Sequence, residues 1–271
     1  MSPPSSVAPS LDLRLALLGK TALVGGASQG IGRATAQVLA EMGAQVIAMA
    51  RDRSKLESLV ADLPGTGHSV LCCDVGDLGR LEAGVKAELQ ARTAIDVLVC
   101  NAGGPKAGPL EEATAEQFTS AFAQHVLANA LLARLCLPRM REKRWGRIVN
   151  VVSTSVKIPI ANLGVSNTIR AAVAGFAKTL SLEVAAEGVT VNNVLPGFTR
   201  TPRLESLFEG AVARGQQPRA DVERDWLRTI PAGRFAEARE VALAIGFLAS
   251  PLASYVNGTS LPVDGGRTGS L

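Results

Sequence analysis

Two chemically capable side chains stand one helical turn apart in "VSNTIRAAVAGFAKTLSLEVA" (Val165–Ala185): Ser166 and Arg170. The stretch reads as an amphipathic helix, and residues four apart on a helix share a face. An aliphatic hydroxyl is a weak acid, useful as a hydrogen-bond partner or beside a strong base. A guanidinium stays charged near neutrality and donates in a planar fork; it suits holding hydroxyls or stabilising an oxyanion and is a poor proton shuttle. Ser153 ends the apolar run "GRIVNVVS", and Ser155 and Lys157 follow it in "STSVKIPI". His125 lies upstream in "FAQHVLANALLARLCLP". His125 has the intrinsic pKa of a proton relay, Lys157 could supply a proton, and Ser155 could donate a hydrogen bond. Each is also a residue type that commonly fills a structural or surface role.

A second chemical feature is "LVGGASQGIGRATAQVLAEMG", with Gly25, Gly26, Gly30 and Gly32 between a strand-like run and a helical one. Glycine there permits a tight turn, close approach of backbone N–H groups to a pyrophosphate, and close helix–strand packing, with the helix N-terminus facing the anion. Gly26, Ser28, Gln29, Gly30 and Ile31 are the expected contacts. The next strand-like run ends in "AMARDRSKLE", so Arg51 stands where an acid would meet a ribose hydroxyl. A guanidinium suits a 2′-phosphate, so NADP is favoured over NAD. A solvent-facing arginine opening the next helix is the alternative.

The elements that must position these groups alternate. Strand-like runs are Lys20–Gly26, Ala44–Ala50, His68–Val75, Ile95–Gly103, Gly146–Ser153, Val189–Gly197 and Thr259–Gly266. Helical patterns fall at Gly30–Met42, Lys55–Asp62, Leu78–Ala91, Ala115–Arg141 and Asn162–Glu187. Strands apolar along their length imply that both faces are covered. Their alternation with helices implies right-handed crossovers and a parallel sheet. The expected fold is α/β: a single-domain, Rossmann-like, doubly wound parallel sheet of about seven strands flanked by helices, with ligands at the strands' carboxyl ends. Residues 13–271 form this domain, with an irregular insertion at about 199–234.

Composition narrows the function classes. With 271 residues, 47% hydrophobic and 19% charged, the chain can bury a sizeable core. No uninterrupted apolar run reaches the ~18 residues that a membrane span needs. The Pro/Ser-rich start, "MSPPSSVAPS", lacks the apolar core of a secretion signal, and residues 1–12 read as a flexible tail. Net charge is +4, and the one dense basic run, "RMREKRWGR" (Arg139–Arg147), reads as a solvated helix end leading into a strand. No nucleic-acid or membrane partner is therefore expected. Cys72, Cys73, Cys100 and Cys136 show no CxxC spacing and sit in apolar runs. They are expected to be buried reduced thiols in a cytoplasmic protein, with no metal site.

Spacing and motifs together resemble the short-chain dehydrogenase/reductase superfamily, nearest its 3-oxoacyl-ACP-reductase-like branch, from about Leu18 to Arg267. "GGASQGIG" (Gly25–Gly32) is similar to the family's TGxxxGxG, with Gly25 in place of Thr. Asp74 in "CCDV", followed by Val75, is similar to the acid that meets adenine. "CNAGG", with Asn101, Ala102 and Gly103, resembles the NNAG beside the cofactor. "LPGFTRT", with Pro196, Gly197 and Thr199, resembles the loop around nicotinamide, and Ser153 the substrate-orienting serine. "GRFAEAREVALAIGFLAS" and "GTSLPVDGG" resemble the family's C-terminal stretch. The resemblance implies hydride transfer between a nicotinamide cofactor and a small carbonyl or alcohol.

The family's acid/base set is Asn…Ser…Tyr-x-x-x-Lys. Here Ser166 takes the Tyr position, Arg170 the Lys position and His125 the Asn position. The single tyrosine, Tyr255, falls in the C-terminal packing region. Three readings follow: an NADP-dependent oxidoreductase using Ser153, Arg170 and either His125 or Lys157; a nucleotide-binding pseudoenzyme with a sensing or assembly role; or lyase- or isomerase-type chemistry on the same scaffold. The insertion corresponds to the family's substrate lid, and its Leu204, Leu207, Phe208 and Trp226 among arginines could cover an apolar substrate with a charged end. The helices at Ala115–Arg141 and Asn162–Glu187 resemble the family's dimer contacts, and with the C-terminal strand they imply a homotetramer or homodimer.

Overall fold

Valine- and leucine-rich runs pair side by side because each presents two apolar faces that only flanking helices can cover. A computed structural model describes residues 16–215 and 218–270, so the expected tail at 1–12 lies outside it. The first half runs β1 (Thr21–Gly25), α1 (Gly30–Glu41), β2 (Gln45–Ala50), α2 (Arg53–Ala61), β3 (Ser69–Cys72), α3 (Leu78–Ala91) and β4 (Val97–Cys100). There follow α4 (Ala115–Phe122), α5 (Ala128–Glu142), β5 (Gly146–Val151), α6 (Gly164–Val184) and β6 (Val189–Pro196). The chain closes with β7 (Thr199–Arg200), α7 (Pro202–Gly215), α8 (Arg219–Arg228), β8 (Ala236–Glu237), α9 (Ala238–Ala249) and β9 (Ser260–Val263).

Seven strands form one parallel sheet in the order β3-β2-β1-β4-β5-β6-β9. This is the expected doubly wound, single-domain Rossmann-like fold. The order reverses between β1 and β4, whose diverging connections open a crevice at their carboxyl ends. Leu39, Leu56, Val241 and Ile245 bury one face of the sheet; Leu81, Leu132, Cys136 and Val184 bury the other. β1, β4 and β5 are buried along their whole length.

Three expectations need correction. The outer strands β3 and β9 are only partly covered, because each has a neighbour on one side alone. Cys73, Cys100 and Cys136 are buried free thiols, but Cys72 is exposed on that edge, its Sγ 3.2 Å from Arg51 O. Arg147 is not solvated: it is buried beside the Trp145 ring, 4.6 Å from its centroid, and donates to Gly146 O, Gly188 O and Ser250 O. α4 and α5 join through a π-type turn, Ala123–Leu127, into one helix of 28 residues, Ala115–Glu142. By length and composition this helix could cross a membrane, yet half of its most apolar window is buried within the fold, as a core helix requires.

Candidate active site

The cradle is built by residues that lack a Cβ. Gly26 and Gly30 hold φ of +61° and +56°, which L side chains rarely adopt. At Gly32 a Cβ would lie 2.2 Å from Gly26 O, so that position has no room for one. Asn101 Nδ2 donates to Gly25 O at 3.1 Å and ties the end of β4 to the end of β1. α1 begins at Gly30 without a side-chain cap, leaving first-turn N–H groups for an anion. The cradle therefore fits a pyrophosphate.

It opens into a cleft of about 700 Å³. All the expected cofactor contacts line it: Gly26, Ser28, Gln29, Gly30, Ile31, Arg51, Asp74, Val75, Asn101, Ala102, Gly103, Arg170, Pro196, Gly197 and Thr199. At the β2 end, Arg51 Nη1 stands 3.7 Å from Asp74 Oδ2, a mostly exposed pair. Such pairs contribute roughly 0–1 kcal/mol, so the guanidinium is free to turn to a stronger anion. Lys55 also lines this end, close to Asp52 at 3.2 Å.

At the other end the cleft brings Ser153, Ser166 and Arg170 together. Ser153 Oγ accepts from Ser155 N at 3.1 Å, which leaves its O–H to donate into the cleft. The Ser166 hydroxyl has no partner among the described residues. Arg170 is 8% exposed and donates from Nη1 to Val151 O at 2.7 Å. That bond uses one of five N–H donors and fixes the fork at the end of β5. Burial, and then the nearby Arg203 charge, pull Arg170 down to about 10. It remains a cation at neutrality.

The two candidate acids are not in the cleft. Lys157 is exposed beyond its wall, on the turn after Ser153. His125 is 3% exposed within the π-type turn, its Nε2 3.1 Å from Gly103 O. Burial, and then the Arg170 charge, hold it down to about 3 against the raising effect of the Gly103 bond. The ring is therefore neutral at physiological pH, with Nε2–H donating to a carbonyl that only a donor can satisfy. That makes it a brace for the loop after β4 and removes the intrinsic pKa that suited a relay. Ser155 Oγ is buried without a partner, and Tyr255 is fully exposed rather than packed.

The neutral His125 has a consequence for stability. Its folded pKa lies below the unfolded 6.5, so the unfolded chain binds the proton first as pH falls. Stability is lost from about pH 6.5 downward, by at most ~1.4 kcal/mol per pH unit until the folded value is reached. His125→Asn is expected to flatten that part of the acid limb relative to wild type in urea denaturation between about pH 4.5 and 7. An unchanged limb would place His125 in water.

The insertion does not present its aromatics to the cleft. Trp226 stacks on Phe198 and Phe208, with centroids 4.6 Å away in each case, and Phe235 meets both phenylalanines edge-on. Phe208 and Trp226 thus build the insertion's own core, and Leu204 and Leu207 reach the cleft. Reading the sequence also missed Lys55, Gln124, Ile160, Leu163 and Arg267 as lining residues, and of the insertion's arginines Arg203, Arg214, Arg219, Arg224 and Arg228, only Arg203 lines the cleft. Arg203 Nη2 donates to Pro105 O at 2.6 Å, across a separation of 98 residues that carries no local signal.

The fold and cradle define a nucleotide-binding α/β protein with its cleft at the sheet's switch point. Residues 26–268 match a family profile described as Enoyl-(Acyl carrier protein) reductase. The chain belongs to the short-chain dehydrogenase/reductase family, on the branch that contains the 3-oxoacyl-ACP reductases. It is 38% identical over 252 residues to the 3-oxoacyl-[acyl-carrier-protein] reductase of Vibrio cholerae, covering 92% of this chain and 98% of that one. Among solved structures it is similar to YwfH, an NADPH-dependent reductase involved in bacilysin biosynthesis (31% identity, TM-score 0.87, 93% and 99% coverage). It is also similar to the L-sorbose reductase of Gluconobacter frateurii, solved with NADPH and L-sorbose (29% identity, TM-score 0.88, 95% and 100% coverage).

Proposed function

We propose that the protein is an NADP-dependent oxidoreductase acting on a carbonyl or alcohol through a Ser153–Ser166–Arg170 site. The observation that carries this reading is the continuity of one cleft from the glycine cradle and Arg51 to those three side chains. The reductase relatives named above support it. The bound cofactor would supply or accept the hydride. Gly26–Ile31 and the start of α1 would hold its pyrophosphate, and Arg51 with Lys55 its 2′-phosphate. Ser153 and Ser166 donate O–H bonds to the substrate oxygen, and the free donors of Arg170 stabilise charge developing there. With no side chain that titrates near neutrality among the described residues of that end of the cleft, the proton comes from water. The family's tyrosine and lysine are replaced by Ser166 and Arg170, and the asparagine by a bracing His125.

A second reading, a nucleotide-binding pseudoenzyme, is favoured by the same lack of a side-chain acid. Single-turnover reduction of a carbonyl panel with NADPH separates the two: stoichiometric alcohol supports the enzyme, and bound NADPH without product across the panel supports the pseudoenzyme. We further propose that it works as a cytoplasmic homodimer or homotetramer.

Arg51→Ala is expected to weaken NADPH binding about 10-fold or more and to leave NADH binding within ~3-fold, since a charged hydrogen bond contributes roughly 1.5–3 kcal/mol. Equal losses for both cofactors would remove Arg51 from the 2′-phosphate site.

A further inference from the structure

We propose that Arg203, backed by Arg170, forms an anion subsite that selects a carbonyl substrate bearing a carboxylate on a short apolar chain. The proposal rests on the oxidoreductase reading of the same cleft and names its substrate class. Both arginines line the cleft, and Arg170 is more than nine-tenths buried. Neither has a carboxylate within 4.0 Å among the described residues. The acids that line the cleft, Asp52 and Asp74, lie at the β2 end beside Lys55 and Arg51. Away from the β2 end the cleft is therefore lined by three arginines, Arg170, Arg203 and Arg267, and by no carboxylate among the described residues; of the three, Arg267 alone feels a neighbouring acid, Asp264.

Burying a cation without a partner is costly, and the cost is relieved when an anion arrives. The Arg203 charge is close enough to act on Arg170, and burial lowers Arg203 itself. Arg203 spends one donor on Pro105 O and keeps the rest of its planar fork, the geometry that matches a carboxylate. The same guanidinium lies against Gly104, where a Cβ would meet it at 3.2 Å. It is thereby held between α7 and the loop after β4. Ile160, Leu163, Leu204 and Leu207 line the same cleft and provide the apolar wall. The cofactor's phosphates have separate donors in the start of α1, Arg51 and Lys55, so they leave this pair unneutralised.

The test is calorimetric titration of the full chain with hexanoate and with the neutral isostere hexanamide, each with and without NADP⁺. The titration of NADP⁺ itself reports separately on the oxidoreductase reading. Hexanoate is expected to bind at least about 10-fold more tightly than hexanamide. Arg203→Gln, which keeps a donor for Pro105 O, is expected to erase about 10-fold of that preference, and Arg203→Lys to lose less than ~3-fold. Thermal denaturation shows whether each variant folds; if Arg203→Gln does not, the wild-type hexanoate-to-hexanamide ratio still decides, and a loss of about 10-fold or more of that preference in a folded Arg203→Lys would contradict a role carried by the charge alone. Failure of hexanoate to bind, equal binding of the amide, or an unchanged preference in Arg203→Gln would overturn the proposal. So would displacement of hexanoate by inorganic pyrophosphate in the NADP⁺-loaded protein, which would assign the pair to a phosphate.

Discussion

The double variant Ser166→Tyr with Arg170→Lys is expected to reduce ordinary ketones with NADPH about 10²-fold faster than wild type, the low end of what a positioned general acid contributes. Ser166 and Arg170 sit on one face of α6 and both line the cleft, and the Ser166 hydroxyl has no partner among the described residues to lose. A phenol there, with an ammonium one turn away, has an unperturbed pKa of about 10 that the cation lowers toward the working range. Serine has no comparable acidity to tune. Lysine at 170 also shortens the side chain and gives up the planar fork, so Arg170→Lys alone is expected to bring no gain. Rates measured across pH would show a new titrating group in the double variant. Unchanged rates with intact NADPH binding would contradict the account of position 166 as the site of the missing acid.

Gly32→Ala is expected to raise the Kd for NADPH by ~100-fold or more, equivalent to about 2.7 kcal/mol. The added methyl would stand 2.2 Å from Gly26 O and 2.8 Å from Asn101 Nδ2. The first obstacle is backbone, so the loop or the start of α1 must move, and with it the N–H groups that face the anion. Overpacking of this kind costs roughly 1–3 kcal/mol of stability as well. Gly175→Ala, on the exposed face of α6 with nothing within 4 Å, is the matched control and should leave NADPH binding unchanged. Binding by Gly32→Ala within a few-fold of wild type would remove the glycine cradle from the account.

Much of this fold was legible because a doubly wound sheet writes itself into short apolar runs. Each of the seven runs holds a strand, from Thr21–Gly25 to Ser260–Val263, and the glycine loop falls between β1 and β4 at the switch point. What stayed hidden was tertiary. Cys72 reads as apolar, but strand order alone decides that β3 is an edge. Trp226 and Phe208 read as a cover for substrate, and only the packing of α7 on α8 turns them inward. His125 reads as a titratable side chain on a helix; its neutrality comes from burial beneath Gly103, 22 residues away in sequence. Arg203 stood among many arginines, and its separation from the solvated ones depends on the loop after β4.

The central claim is that this cleft binds NADPH. The most direct measurement is a titration of the purified protein with NADPH and, separately, NADH, followed by cofactor fluorescence. Saturable binding of NADPH, tighter than that of NADH, is the result the account predicts. Failure of both cofactors to bind would contradict it and leave Ser166 and Arg170 without an oxidoreductase role.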